Sequence, residues 1–109
     1  MSKGECELMF ETYLRMYDMP KWERNYKPFP DDKREVDFCW PEKRIGVEIQ
    51  EETAHRHWKK QSEDAAKIRD LQLYLGWMIL PFTGTDLRNR AAQCMEQVRE
   101  AFVRQGVAR

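Results

Sequence analysis

Asp37, Glu48 and Gln50 are the residues whose types and setting are best suited to chemistry. Asp37 sits between Val36 and Phe38, while Glu48 and Gln50 alternate with Val47 and Ile49 after Ile45 and Gly46. Alternation of polar with apolar residues is the pattern of a half-buried strand, in which every second side chain points to one face. Glu48 and Gln50 therefore share a face. The short turn Trp40-Pro41-Glu42-Lys43-Arg44 makes the two strands antiparallel neighbours. If Asp37 falls on that face too, two carboxylates and an amide converge at one end of a sheet. Carboxylates that close repel each other unless a cation lies between them, and hard oxygen donors with positions left for water suit Mg²⁺ or Mn²⁺. An ion so held lowers the pKa of bound water and stabilises charge on a phosphate under in-line attack, so the fitting chemistry is hydrolysis of a phosphodiester. The same spacing also fits an amphipathic hairpin whose acidic residues face solvent.

A second group follows at once. His55-Arg56-His57-Trp58-Lys59-Lys60 sets five basic side chains beside an aromatic ring, in what reads as a loop leaving the active edge of the sheet. His55, Arg56, His57, Lys59 and Lys60 can grip phosphates there, so DNA is the partner they suggest. A plain solvated basic loop fits the same composition. A His-x-His pair can also ligate metal, but no third ligand stands nearby in sequence.

The elements that must position these residues are legible in outline. Phe10, Tyr13, Leu14 and Tyr17 recur at helical spacing, giving a first helix over about 5 to 18 that Pro20 closes. Strands are expected at 26 to 29, 35 to 40 and 44 to 50 as a three-stranded meander, separated by Pro, Asp and Gly. A second helix, capped by Ser62, carries Ala65, Ile68, Leu71 and Leu75 on one stripe and ends at Gly76. The apolar run Trp77 to Phe82 returns to the sheet as a further strand. A last helix, capped by Thr85 or Asp86, continues through Leu87, Ala91, Cys94, Val98 and Phe102. The order is α-β-β-β-α-β-α, an α/β arrangement.

Composition narrows the class. The 109 residues, 41% hydrophobic, suffice for one domain with one core. Nineteen basic and nineteen acidic residues cancel, so any attraction to nucleic acid has to come from local clusters. Cys6, Cys39 and Cys94 are odd in number and widely spaced, which suggests neither a disulfide framework nor a zinc site and fits a reducing, cytoplasmic setting. No apolar run approaches the length of a membrane span, and acidic residues stand among Met1 to Phe10 where a signal peptide would need a basic start.

Three stretches carry a family resemblance: Arg34-Glu35-Val36-Asp37-Phe38-Cys39-Trp40-Pro41, Ile45-Gly46-Val47-Glu48-Ile49-Gln50, and Leu75-Gly76-Trp77-Met78-Ile79-Leu80-Pro81-Phe82-Thr83. In this order, around a helix, they resemble small phage and bacterial nucleases of the PD-(D/E)XK superfamily, over about positions 7 to 104. Each motif alone is weak; the ordered set is more specific. The resemblance implies a restriction-endonuclease-like core, a mixed central sheet flanked by helices, with metal-dependent DNA endonuclease activity. It implies that Asp37 and Glu48 ligate Mg²⁺, with Mn²⁺ able to substitute. The chain departs from the pattern at Gln50, where the family usually has a Lys that orients or activates the attacking water. An amide carries no positive charge and is no base, but it can hold a water through its donor and acceptor.

The resemblance implies two further contributors. Family members often add an acidic residue from the first helix, for which Glu7 and Glu11 are the candidates, and residues of the second helix often face the site, where Lys67 can replace the missing positive charge. Each also fits an ordinary helix surface. Because nucleases that act on both strands usually present two active sites, a homodimer is the working expectation. Other readings of the same residues are a non-catalytic DNA-binding or assembly protein that kept the fold while Gln50 replaced the Lys, and a junction-resolving or homing-type nuclease.

Overall fold

The computed structural model describes residues 1–50 and 58–106. Its core is a four-stranded sheet in the order β1 (Glu23–Tyr26), β2 (Val36–Trp40), β3 (Ile45–Gln50), β4 (Met78–Thr83). The first three strands form an antiparallel meander and β4 lies parallel to β3, so the sheet is mixed, as expected. A parallel neighbour requires a crossover, and α2 (Trp58–Leu75) lies between β3 and β4 in the chain.

The two faces of the sheet are unequal. On one, Ile45, Val47 and Ile49 of β3 and Phe38 and Trp40 of β2 join Phe10 and Leu14 of α1 (Lys3–Met16), Leu87 of α3 (Gly84–Asn89) and Met95 and Val98 of α4 (Ala91–Gly106) in the main core. On the other, α2 covers a smaller cluster of Val36, Cys39, Leu71, Trp77 and Ile79. Gly46 belongs to this second face. A Cβ there would fall 2.8 Å from both Ile79 Cδ1 and Val36 Cγ1, so the absent side chain lets the small cluster close. Leu71 is the fully buried residue of α2, which leaves much of that helix for polar work.

Helix α1 begins earlier than its apolar stripe suggests. Ser2 accepts from Glu5 N while the Glu5 carboxylate reaches back to Ser2 N, a capping box that starts the helix at Lys3. Four other expectations shift. The first strand is Glu23–Tyr26, not 26 to 29. Helix α2 is already formed at Trp58, so Ser62 is interior and Lys59 and Lys60 are helical, not in a loop. The last helix is two helices. Arg90 leaves helical geometry at φ −138°, ψ 37°, and Thr83, not Thr85 or Asp86, caps α3 through a second capping box with Asp86.

The three cysteines are buried. Among the described residues no helix is long and apolar enough to cross a membrane.

Candidate active site

The β2–β3 ladder pairs Trp40 with Ile45, Cys39 with Gly46 and Phe38 with Val47. One step further, a side chain takes over: the Ile49 N–H donates to Asp37 Oδ2 at 2.8 Å. The Asp37 carboxylate is thus built into the sheet, beside Glu48. With Asp37 7% and Glu48 5% exposed, neither acid decorates a solvent face.

Burying two adjacent carboxylates is costly unless charge is balanced. Two lysines from the flanking helices do this. Lys3 Nζ, at the start of α1, lies 3.3 Å from Asp37 Oδ1. Lys67 Nζ, on α2, lies 2.8 Å from Glu48 Oε1 and donates to the Glu35 carbonyl at 2.9 Å. At Glu48 the charge is met but the hydrogen-bond geometry is not. Its Oε1 is buried and faces the ammonium, yet receives no aligned hydrogen bond among the described residues. Burial first, then the charge of Asp37, push the Glu48 carboxyl up to about 7 against the opposing pull of Lys67. The Lys3 ammonium is held above its ordinary range: burial works against the charge, but the Asp37 carboxylate outweighs it.

Asp37 and Lys67 open on a cleft of about 420 Å³, also lined by Lys3, Lys33, Lys60 and Asp64. Gln50, half-buried at the end of β3, lines a narrower recess with Glu48, Lys3 and Lys67. Asp37, Glu48, Gln50 and Lys67 are therefore brought together. Glu7 and Glu11 are not. Arg24 of β1 takes both, at 3.3 Å and 2.9 Å, and its guanidinium also donates to the Asp37 carbonyl and lies 4.1 Å from the centre of the Phe38 ring; Glu11 pairs with Arg15 as well. Lys60 lines the cleft and pairs with Asp64 at 3.1 Å. His55, Arg56 and His57 lie outside the described residues.

Among the described residues, no group of three or more His, Cys, Asp and Glu side chains converges to hold an ion. The available donors are two carboxylates, each facing a lysine ammonium. Mg²⁺ in general keeps several of its waters and needs only one or two carboxylates.

No protein-family model matches the chain, and no curated protein sequence does. Among solved structures it is similar to the catalytic domain of the homing endonuclease I-Bth0305I, with a TM-score of 0.71 over 92% of this chain and 95% of that one, at 17% identity. The two share a fold. At that identity the likeness concerns the path of the backbone, and the side chains of the site have to speak for themselves.

Lys3 and Arg24 stand outside the sequence motifs. A signal existed for Lys3: Ser2-x-x-Glu5 is a capping box, and it places Lys3 one turn before Glu7 on the same side of the helix. Arg24 stands in an exposed polar strand without alternation, so nothing marked it.

Proposed function

We propose that the chain is a metal-dependent DNA endonuclease of the PD-(D/E)XK type, hydrolysing phosphodiester bonds with Mg²⁺, or Mn²⁺ in its place. The observation that carries this reading is the buried pair Asp37 and Glu48, side by side where β2 begins and β3 ends, with Lys67 against Glu48. The likeness to a homing-endonuclease catalytic domain supports it at the level of fold.

In this reading the carboxylates of Asp37 and Glu48 would hold the ion. The bound ion supplies a more acidic water and offsets negative charge on the phosphate. Asp37 is oriented by the Ile49 N–H, so its carboxylate needs no rearrangement. Glu48 acts as a ligand once it has lost its proton, which its raised pKa delays to about neutral pH. Gln50 holds the attacking water by hydrogen bonding. Lys67 supplies from α2 the positive charge that Gln50 cannot, facing the charge that develops on the phosphate. Lys60, and Lys33 across the cleft, meet neighbouring phosphates of DNA. Two copies, each contributing one site, cut both strands.

One observation favours a second reading. Each carboxylate already has a lysine partner, so the site stands without an ion, as it would in a DNA-binding or assembly protein that no longer cuts. Incubation with supercoiled plasmid and with branched DNA, with and without Mg²⁺ or Mn²⁺, separates the two. The enzyme nicks or linearises DNA with metal; the binding protein retards DNA in a gel and leaves it whole.

A further inference from the structure

We propose that Lys3 is a displaceable counter-ion of this site: its ammonium stands at the free oxygen of Asp37 and has to leave before a divalent cation can bind. The inference rests on the reading of Asp37 and Glu48 as metal ligands.

The two oxygens of Asp37 are not equivalent. Oδ2 accepts the Ile49 N–H at 2.8 Å, whereas Oδ1 faces Lys3 Nζ at 3.3 Å. An ion shared with Glu48 takes Oδ1 without breaking the sheet. The two lysines are not equivalent either. The Lys67 side chain is 13% exposed and donates to the Glu35 carbonyl at 2.9 Å, which ties it to the β2 approach. The Lys3 side chain is 35% exposed, lines the open cleft and has Asp37 as its ion-pair partner. Its backbone is fixed by the Ser2–Glu5 capping box, so displacement requires only that the side chain swing outward.

Two ammonium groups beside two carboxylates already neutralise the site. A divalent ion added to that arrangement meets like charge within a few ångströms, where repulsion is strong because the surroundings are partly dehydrated. Lys67 is anchored, and Lys3 yields. Lys3 therefore sets how much divalent ion the protein needs.

The test is titration of Mn²⁺ into the full chain by calorimetry, without DNA, for wild type, Lys3→Met, Lys3→Gln, Lys3→Arg and Asp37→Asn, with melting temperatures recorded in parallel. Lys3→Met and Lys3→Gln are expected to bind Mn²⁺ about tenfold more tightly or better, with lower metal-free melting temperatures and larger upward shifts on adding Mn²⁺. Lys3→Arg keeps the charge and the weaker affinity. Unchanged or weaker binding in both neutral variants, with binding lost in Asp37→Asn, overturns the role of Lys3 and leaves the metal site standing. Absence of Mn²⁺ binding in wild type and in every variant overturns the metal reading and this inference with it.

Discussion

Lys67 Nζ lies 2.8 Å from Glu48 Oε1, so helix α2 reaches across the sheet to the acid of β3. The contact joins a stability question to a catalytic one. Glu48 is buried, and its carboxyl would rise further without that ammonium. Lys67→Met is expected to leave stability little changed at pH 6, where Glu48 is already largely protonated, and to lower it at pH 8.5, where an unpaired charge must be buried. Denaturant unfolding at the two pH values checks this, and equal losses at both would show that the pair is incidental. Cleavage in the same variant is expected to fall about 100-fold or more, the range for losing one group aimed at developing charge.

Glu48 also predicts a pH dependence for the metal-free protein. Its carboxyl is raised from 4.5 to about 7 in the folded chain. Between those values the folded state holds a proton that the unfolded state has lost, so stability declines as pH rises from about 4.5 to 7 and this contribution is flat above. The loss is at most about 3 kcal/mol, at 1.36 kcal/mol per unit. Melting curves in EDTA across this range are expected to show the decline in wild type and a flatter profile in Glu48→Gln. A wild-type profile as flat as that of the variant would place Glu48 in a more hydrated setting.

Gly46→Ala tests the second, smaller cluster. The added methyl meets Ile79 Cδ1 and Val36 Cγ1 at 2.8 Å, between strands that cannot easily separate. A loss of about 1–3 kcal/mol is expected from overpacking, readable as a lower denaturation midpoint with unchanged slope. A neutral result would mean that both neighbours can turn aside.

Gln50 decides whether the variant motif works. If its amide holds the attacking water, Gln50→Ala is expected to slow cleavage about 10- to 1000-fold with little change in Mn²⁺ affinity, because both carboxylates remain. Gln50→Lys restores the residue usual in the resembled family and is expected to retain activity unless Lys67, sharing the recess, repels it. Equal rates for wild type and Gln50→Ala would make Gln50 a bystander.

The hairpin was readable because alternation around Glu48 and Gln50 has one physical cause, a strand with one apolar face, and because a short turn forces antiparallel pairing. The order of helices and strands was readable for the same reason, and so was the end of α2, where Gly76 adopts φ +69°. What escaped reading lacked a local signature. Strand β1 is short, mostly exposed and polar, so its place depends on pairing with β2 alone. The break at Arg90 interrupts a stripe that keeps its period from Leu87 through Cys94, and no Gly or Pro marks it. Thr83-x-x-Asp86 and Ser2-x-x-Glu5 were available as capping boxes and would have set both helix starts. At the site, the acids were legible and their partners were not. Whether Glu7 meets a metal or Arg24 depends on how α1 lies on the sheet, and no local sequence pattern encodes that.

Whether Asp37 and Glu48 form a metal-dependent site for cutting DNA is tested most directly by Asp37→Asn. The asparagine carbonyl can still accept the Ile49 N–H that Asp37 accepts at 2.8 Å, so the sheet is expected to keep its circular dichroism while the charge that holds the ion is gone. The measurement is conversion of supercoiled plasmid to open-circular and linear forms by wild type and variant, in Mg²⁺, in Mn²⁺ and in EDTA. Wild type is expected to cut only with a divalent ion, and folded Asp37→Asn not at all. Cleavage by wild type in EDTA, or undiminished cleavage by Asp37→Asn, would contradict such a site.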